Sequence, residues 1–392
     1  SPPSDDPRRM NIFPGELIGY LTNMIENRIL PRDIVTRDAI RNAMVVAMAV
    51  GGSTNVLLHA PEISRATGFQ NFADDIMSPQ EFNHLSENLV PVLVDARPFG
   101  QYSMVDIDKK GGVQVIVKEL IEAGLLNGDT LTCTGETLVE QVKRLNTVTP
   151  DGEVIYKVDK PYKPTGGLRV LGGNLSPDYS AVLKLAGVES GLEDDVFSGN
   201  ARVFDSEQDL LMALDTSPHK FENLDMIIVR YEGPIGAPGM PEFLDPTSRI
   251  TTLCRERKIV LGLMTDARFS GGSVGLVIGH VGPEAALGGP IGLVQDGDQI
   301  VVDLNKNQVN CLELDDDEIL ASRKEVWDRV VEENGGVHPS SGQADTRLLN
   351  RMRCSAVPAT FGAGMHPDRI VWVSEPREPE KSNFEPKNKY RS

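Results

Sequence analysis

The stretch that decides the reading runs from Asp225 to Gly289. It begins DMIIVRYEGPIGAPGMPEF (225–243) and later continues KIVLGLMTDARFSGGSVGLVIGHVGPEAALGG (258–289). Two apolar, β-branched runs, Met226–Val229 and Ile259–Met264, have the length and composition of buried strands. Each empties into a glycine-rich loop carrying an acid, an arginine or a serine. A rigid sheet aims such loops, and glycine lets the backbone approach a ligand closely. The pair reads as half of an active site.

Outward from this stretch the chain divides by pattern. Up to about Leu145 it reads as helical, with apolar residues at helical spacing in Pro14–Ile29, Thr36–Val50, Val113–Ala123 and Gly135–Leu145. Ser53 or Thr54 is placed to cap a further helix, which Pro61 should kink or restart. Pro91–Val94 is a short strand candidate. A proline- and glycine-rich boundary follows. Beyond it, strand-length apolar runs recur at Leu168–Leu171, Ala181–Leu185, Met226–Val229, Ile259–Met264, Ile291–Val294 and Gln299–Leu304, with helices at Glu207–Leu214 and Thr247–Arg257. This predicts a mixed α/β fold: a helical N-terminal α/β part (1–160), then a β-barrel-like domain (161–315), and not a clean βαβ repeat. A terminal helix over Asp315–Glu333 and a C-terminal arm, extended or disordered, complete the chain (316–392).

Composition narrows the function. The 392 residues are 40% hydrophobic, enough for two cores. No apolar run approaches the roughly 20 residues of a membrane span, and SPPSDDPRRM lacks the apolar stretch of a signal peptide. The expectation is a soluble, cytoplasmic protein, or one inside an organelle, with no membrane partner. A net charge of −18 argues against nucleic acid, whose phosphates would be repelled. Cys133, Cys254, Cys311 and Cys354 show no CxxC spacing, as expected of reduced, mostly buried thiols.

Taken by themselves, the polar residues of the two loops allow more than one reading. Ser270 is either an exposed hydroxyl ringed by donor amides or a turn serine capping Ser273–Ile278. Glu242 is a metal ligand or a surface carboxylate, with Glu232 a weaker rival. Arg268 suits bidentate carboxylate binding but would equally pin Asp266. Gly51–Asn55 (GGSTN) either turns amides toward a site or packs helices. His59 and His280, lone histidines near apolar runs, fit bases less well than side chains satisfied by a backbone carbonyl. No phosphate-binding fingerprint is present.

GMPEF, PTS, TDARFSGG, GH and PEAALGGPI, in that order, resemble the dihydroxy-acid and sugar-acid dehydratase family. RDIVTRDAIRNAMVVAMAVGGSTNVLLHAPEI, CTGETLVEQV and GNLSPDYSAVLK extend the resemblance from about Ile34 to about Met365. DARPFGQYSMVDID, CTGET and CSAVPATFGAGM look most like the aldonate (xylonate-type) branch. The resemblance implies a hydro-lyase that turns an aldonate into a 2-keto-3-deoxy acid, with the branched dihydroxy acids of valine and isoleucine synthesis as the alternative substrates. It implies Ser270 as the base at the carbon next to the carboxylate, Glu242 as a Mg²⁺ ligand, and Arg268, Gly272 and Ser273 on the substrate side. It also implies an iron–sulfur cluster, whose cysteine motifs, like the family's acidic Mg²⁺ ligands and carbamylated lysine, have no counterpart from Ser1 onward. The expectation is therefore a fragment of such an enzyme, or a truncated paralogue serving as a binding or dimerisation partner, in either case a homodimer or homotetramer.

Overall fold

The computed structural model describes residues 2–69, 71–97, 100–185, 191–269, 275–341, 346–365 and 384–391. The chain forms two compact units, one of residues 1–52, 63–167 and 373–392 and the other of 53–62 and 168–372. Among the described residues no helix is long and apolar enough to cross a membrane.

The first unit is helical where the periodicity predicts helix. Helix α1 spans Phe13–Glu26 and α2 spans Arg37–Ala49, with Thr36 accepting the Ala39 N–H as N-cap. Ile40, Met44, Val45 and Met48 recur at helical spacing and are buried, which is why α2 lies in the core while α1 buries none of its residues. Helix α3 (Val56–Ala66) runs through Pro61, so of the two expected outcomes, a kink or a restart, the restart does not occur; its first part, to Glu62, belongs to the second unit. Helices α4 (Val113–Glu122) and α5 (Leu138–Arg144) follow, the latter opened by a Thr137–Glu140 capping box. The expected strand at Pro91–Val94 is reduced to isolated bridges, Val92 to Lys163 and Val94 to Ile155, because no continuous partner lies beside it. The expected arm is docked at its end: Lys387 and Lys389 donate their amides to the Gly124 and Ala123 carbonyls, and Asn388 Nδ2 donates to the Leu89 carbonyl.

The second unit is an eight-stranded sheet in the order β1–β2–β8–β6–β4–β3–β9–β10. Its strands are β1 (Leu168–Leu171), β2 (Ala181–Lys184), β3 (Val196–Phe204), β4 (Met226–Val229), β6 (Gly262–Thr265), β8 (Leu276–Gly279), β9 (Gln299–Asp303) and β10 (Gln308–Cys311), while β5 (Glu242–Phe243) and β7 (Arg268–Phe269) form a separate two-stranded ladder. The four central strands run parallel and the flanking pairs antiparallel. A parallel bridge from Gly172 to Gln308 joins the two edges, so the sheet is nearly closed, like a barrel. Alternation sorts the side chains. Met226, Ile228, Met264, Leu276 and Ile278 point into one core with Phe197, Ile300 and Val302; Ile227, Val229, Leu263 and Val277 point outward into another with Phe243 and Phe269. Helices α6 (Glu207–Thr216) and α7 (Asp245–Arg257) contribute to that outer core and connect β3 to β4 and β4 to β6. The centre is thus a short βαβαβ run. Helix α8 (Asp317–Glu333), with Asp316 as N-cap, realises the expected terminal helix.

Three differences from the expected strands have physical causes. Ile291–Val294 is no strand; Pro290–Leu293 forms a 3₁₀ turn that still buries Ile291. Leu276–Gly279 is a strand where a serine-capped helix from Ser273 was one reading. Strand β3 was hidden because Ser198, Gly199 and Asn200 break its apolar run. A Cβ on Gly199 would lie 1.8 Å from the Leu224 carbonyl oxygen, so a glycine is required by that close approach rather than by a turn. Phe197, fully buried inside the barrel, gives a test of this core. Phe197→Ala should lower the unfolding free energy by about 3–5 kcal/mol in urea titrations.

Candidate active site

Parallel strands β4, β6 and β8 end on the same side of the sheet, and the loops that leave them carry the candidate residues. This is where ligands bind in open parallel sheets. Strand β5 lies in the loop after β4 and β7 in the loop after β6. Their parallel pairing sets Glu242 opposite Arg268 and Phe243 opposite Phe269. The two phenylalanines meet edge to face at 5.9 Å and anchor the ladder in the outer core. The polar halves of the same pairs face the other way. Arg268 Nη1 lies 3.8 Å from Glu242 Oε1, and its Nε donates to the Met240 carbonyl at 2.6 Å. Asn55, from the GGSTN turn, donates its Nδ2 to Glu242 Oε1 at 2.5 Å. The fold therefore gathers Glu242, Arg268 and Asn55, while Ser270, Gly272 and Ser273 lie outside the described residues.

Two buried carboxylates hold these loops in place. Asp266 accepts the amides of Tyr231, Glu232 and Ala285 at 3.0–3.1 Å. Glu284 accepts those of Ile235 and Gly236 at 3.0 and 2.9 Å. The bonds tie the loops after β4, β6 and β8 together through their main chains. Burial raises both groups, to about 6 for Asp266 and about 8 for Glu284, and the Asp266 charge raises Glu284 further; the donated amides pull each back down. Glu232 is also buried, but its Oε1 accepts the Glu207 amide at 2.9 Å, at the start of α6. That carboxylate serves the helix terminus. His280 ends β8 with a left-handed φ of 59° and donates its backbone amide to the Ala267 carbonyl. Its imidazole is kept neutral, with the pKa pushed down to about 3 by burial and by the neighbouring Arg268 and His59, and among the described residues its Nε2 has no hydrogen-bond partner. The expectation of a ring satisfied by a backbone carbonyl fails there. His59 is exposed on α3.

Asp266 and Glu284 are not legible in the sequence as site residues, although DAR and PEA stand in the motifs; Gly51–Asn55 and His280 are legible there only as a possible amide-bearing turn and a disfavoured base. A further cluster, Asp298, Cys311 and Glu313, has ligand-type atoms close together. Arg323 already donates twice to Asp298, and burial pushes the Cys311 thiol up to about 12, so a thiolate–metal site does not fit. Among the described residues that is the only such grouping, and it holds one cysteine. These residues do not fit an iron–sulfur cluster.

The carboxylate clamp predicts a pH dependence. Glu284 binds its proton more tightly in the folded chain than at its ordinary value of 4.5. Its contribution is complete below that value and is lost as pH rises through about 8. Stability should fall as pH rises from about 4.5 to about 8. Glu284→Gln keeps an acceptor for both amides and should flatten that fall in urea titrations across pH; an unchanged slope would assign it to other groups.

Comparison with known proteins agrees with this geometry. Residues 153–363 match the dihydroxy-acid/6-phosphogluconate dehydratase C-terminal model, and residues 3–141 the corresponding N-terminal model. A dihydroxy-acid dehydratase of Arthrobacter sp. is 44% identical over 328 residues, covering 84% of this chain and 54% of that protein. One of Acidothermus cellulolyticus is 43% identical over 327 residues, 83% of this chain and 55% of its own. The mitochondrial dihydroxy-acid dehydratase of Saccharomyces cerevisiae is 40% identical over 308 residues, 79% and 50% of the two chains. The chain spans about half the length of these curated relatives. Their names belong to the dihydroxy-acid branch, not to the aldonate branch that the motifs suggested. The chain is a member of the dihydroxy-acid/6-phosphogluconate dehydratase family.

Proposed function

We propose that the site built on Glu242 and Arg268 belongs to a hydro-lyase that dehydrates a branched 2,3-dihydroxy acid to a 2-keto acid. The observation that carries this reading is the β5–β7 ladder, which seats a carboxylate beside an arginine immediately before Ser270. The names of the relatives favour dihydroxy acids over aldonates. The reaction removes the C2 proton and the C3 hydroxyl as water, and the resulting enol tautomerises to the ketone.

Each residue then has a role set by its charge. Ser270 takes the C2 proton as an alkoxide, and a serine hydroxyl becomes such a base only when positive charge or donors lower its pKa. Arg268, pinned by the Met240 carbonyl, binds the substrate carboxylate in a fixed orientation. Glu242 would hold a divalent cation. Asn55 Oδ1, buried without a partner while Nδ2 holds Glu242, adds a second hard oxygen beside it, the donor type that Mg²⁺ takes. When bound, such a cation supplies stabilisation of the negative charge that develops on the carboxylate as the proton leaves.

In the intact protein, Ser270→Ala should abolish turnover and leave substrate binding nearly unchanged, because proton abstraction is made only in the transition state. Deuterium exchange from solvent into C2 of bound substrate reads that step directly. Exchange at the wild-type rate would remove Ser270 from the role. Turnover of an aldonate but not of a dihydroxy acid would move the substrate to the sugar-acid class, and turnover of neither would favour a non-catalytic paralogue.

Glu242→Gln should weaken both metal affinity and turnover, with added Mg²⁺ restoring part of the activity. Glu232→Gln should leave turnover within about twofold and act on stability instead, since it loses a charge at the start of α6. Equal loss of activity in the two variants would contradict the choice between these glutamates.

A further inference from the structure

The imidazole of His280 is 2% exposed, and among the described residues its Nε2 has no hydrogen-bond partner. A buried polar atom left unmet costs about 1–3 kcal/mol, so its retention calls for a partner that arrives in the working state. The position fits a ligand. His280 stands at the end of β8, bonded through its amide to Ala267, the residue before Arg268. Arg268 reaches Glu242, and Glu242 reaches Asn55. Thr54 Oγ1 and Asn55 Oδ1 are likewise buried without partners among the described residues. Three orphaned polar atoms thus belong to residues on or next to the segments that form one carboxylate–arginine pair, all within the second unit. The left-handed backbone of His280, unfavourable for a residue with a side chain, is the kind of strain that collects at ligand sites.

Charge decides what that nitrogen takes. Arg268 matches a carboxylate, whereas a ring that burial keeps neutral matches an uncharged oxygen. We propose that His280 is a substrate-binding residue whose Nε2 hydrogen-bonds a hydroxyl of the bound hydroxy acid. The proposal rests on the hydroxy-acid reading of this site.

Calorimetric titration of the intact protein tests it with two acids of one carbon skeleton, 2,3-dihydroxy-3-methylbutanoate and hydroxyl-free 3-methylbutanoate. His280→Phe keeps an aromatic ring of similar size and removes the nitrogen. It should weaken the dihydroxy acid about tenfold and the hydroxyl-free acid by less than about twofold, with His280→Gln recovering part of the loss. Equal weakening of both acids would make His280 structural, and no weakening of the dihydroxy acid would exclude the contact; either result overturns the proposal. If the intact wild-type protein binds no dihydroxy acid, the hydroxy-acid reading itself falls and the proposal with it, before any variant is compared. Should His280→Phe fail to fold, His280→Ala in the same titrations gives the same decision.

Discussion

Main-chain amides that leave a strand for a loop need acceptors, and in this barrel two buried carboxylates provide them. Asp266, which follows β6, and Glu284, which follows β8, take five backbone N–H groups from the loops after β4 and β8. Glycine lets the chain come that close: a Cβ on Gly233 would lie 2.5 Å from Glu284 Oε2. The arrangement is costly, because burying carboxylates side by side raises both pKa values. In return, loops that could otherwise sample many conformations are fixed, and Glu242 and Arg268 end up on neighbouring strands.

The barrel beneath supplies the rigidity that this clamp uses. Inward side chains of the eight strands fill one core, while outward ones pack with α6 and α7. A one-residue slip in β4 or β6 would exchange the two sets, so register is fixed by burial on both faces. Closure between Gly172 and Gln308 leaves little free edge. The site loops thus stand on strands whose ends cannot shift independently.

Environment, more than residue type, separates working groups from structural ones. Asp298 and Glu313 lie beside a thiol as a metal site would require, yet Arg323 bonds directly to Asp298 and neutralises it. Glu232 is spent on the start of α6. Glu242 differs. Its carboxylate stays 40% exposed, its arginine stands off at 3.8 Å, and the asparagine that holds it leaves an oxygen unused. Partial satisfaction of this kind is what a ligand completes.

Helices α2, α4 and α8 and strands β1 and β4 are legible in the chain alone, because their apolar spacing reports burial directly. The family is legible there too, since GMPEF and DARFSGG are read in linear order. Strand β3 escaped because its polar, glycine-interrupted pattern looks like loop until β4 and β9 lie beside it. Ile291–Val294 was misread because an apolar run reports burial and not backbone conformation. Asn55 meets Glu242 across 187 positions of chain. His280 is legible in the sequence only as a disfavoured base; that its ring nitrogen lacks a partner among the described residues appears only in the structure. Local pattern encodes which faces are buried, but contacts between distant segments, and the polar groups those contacts leave unmet, exist only once the barrel has closed.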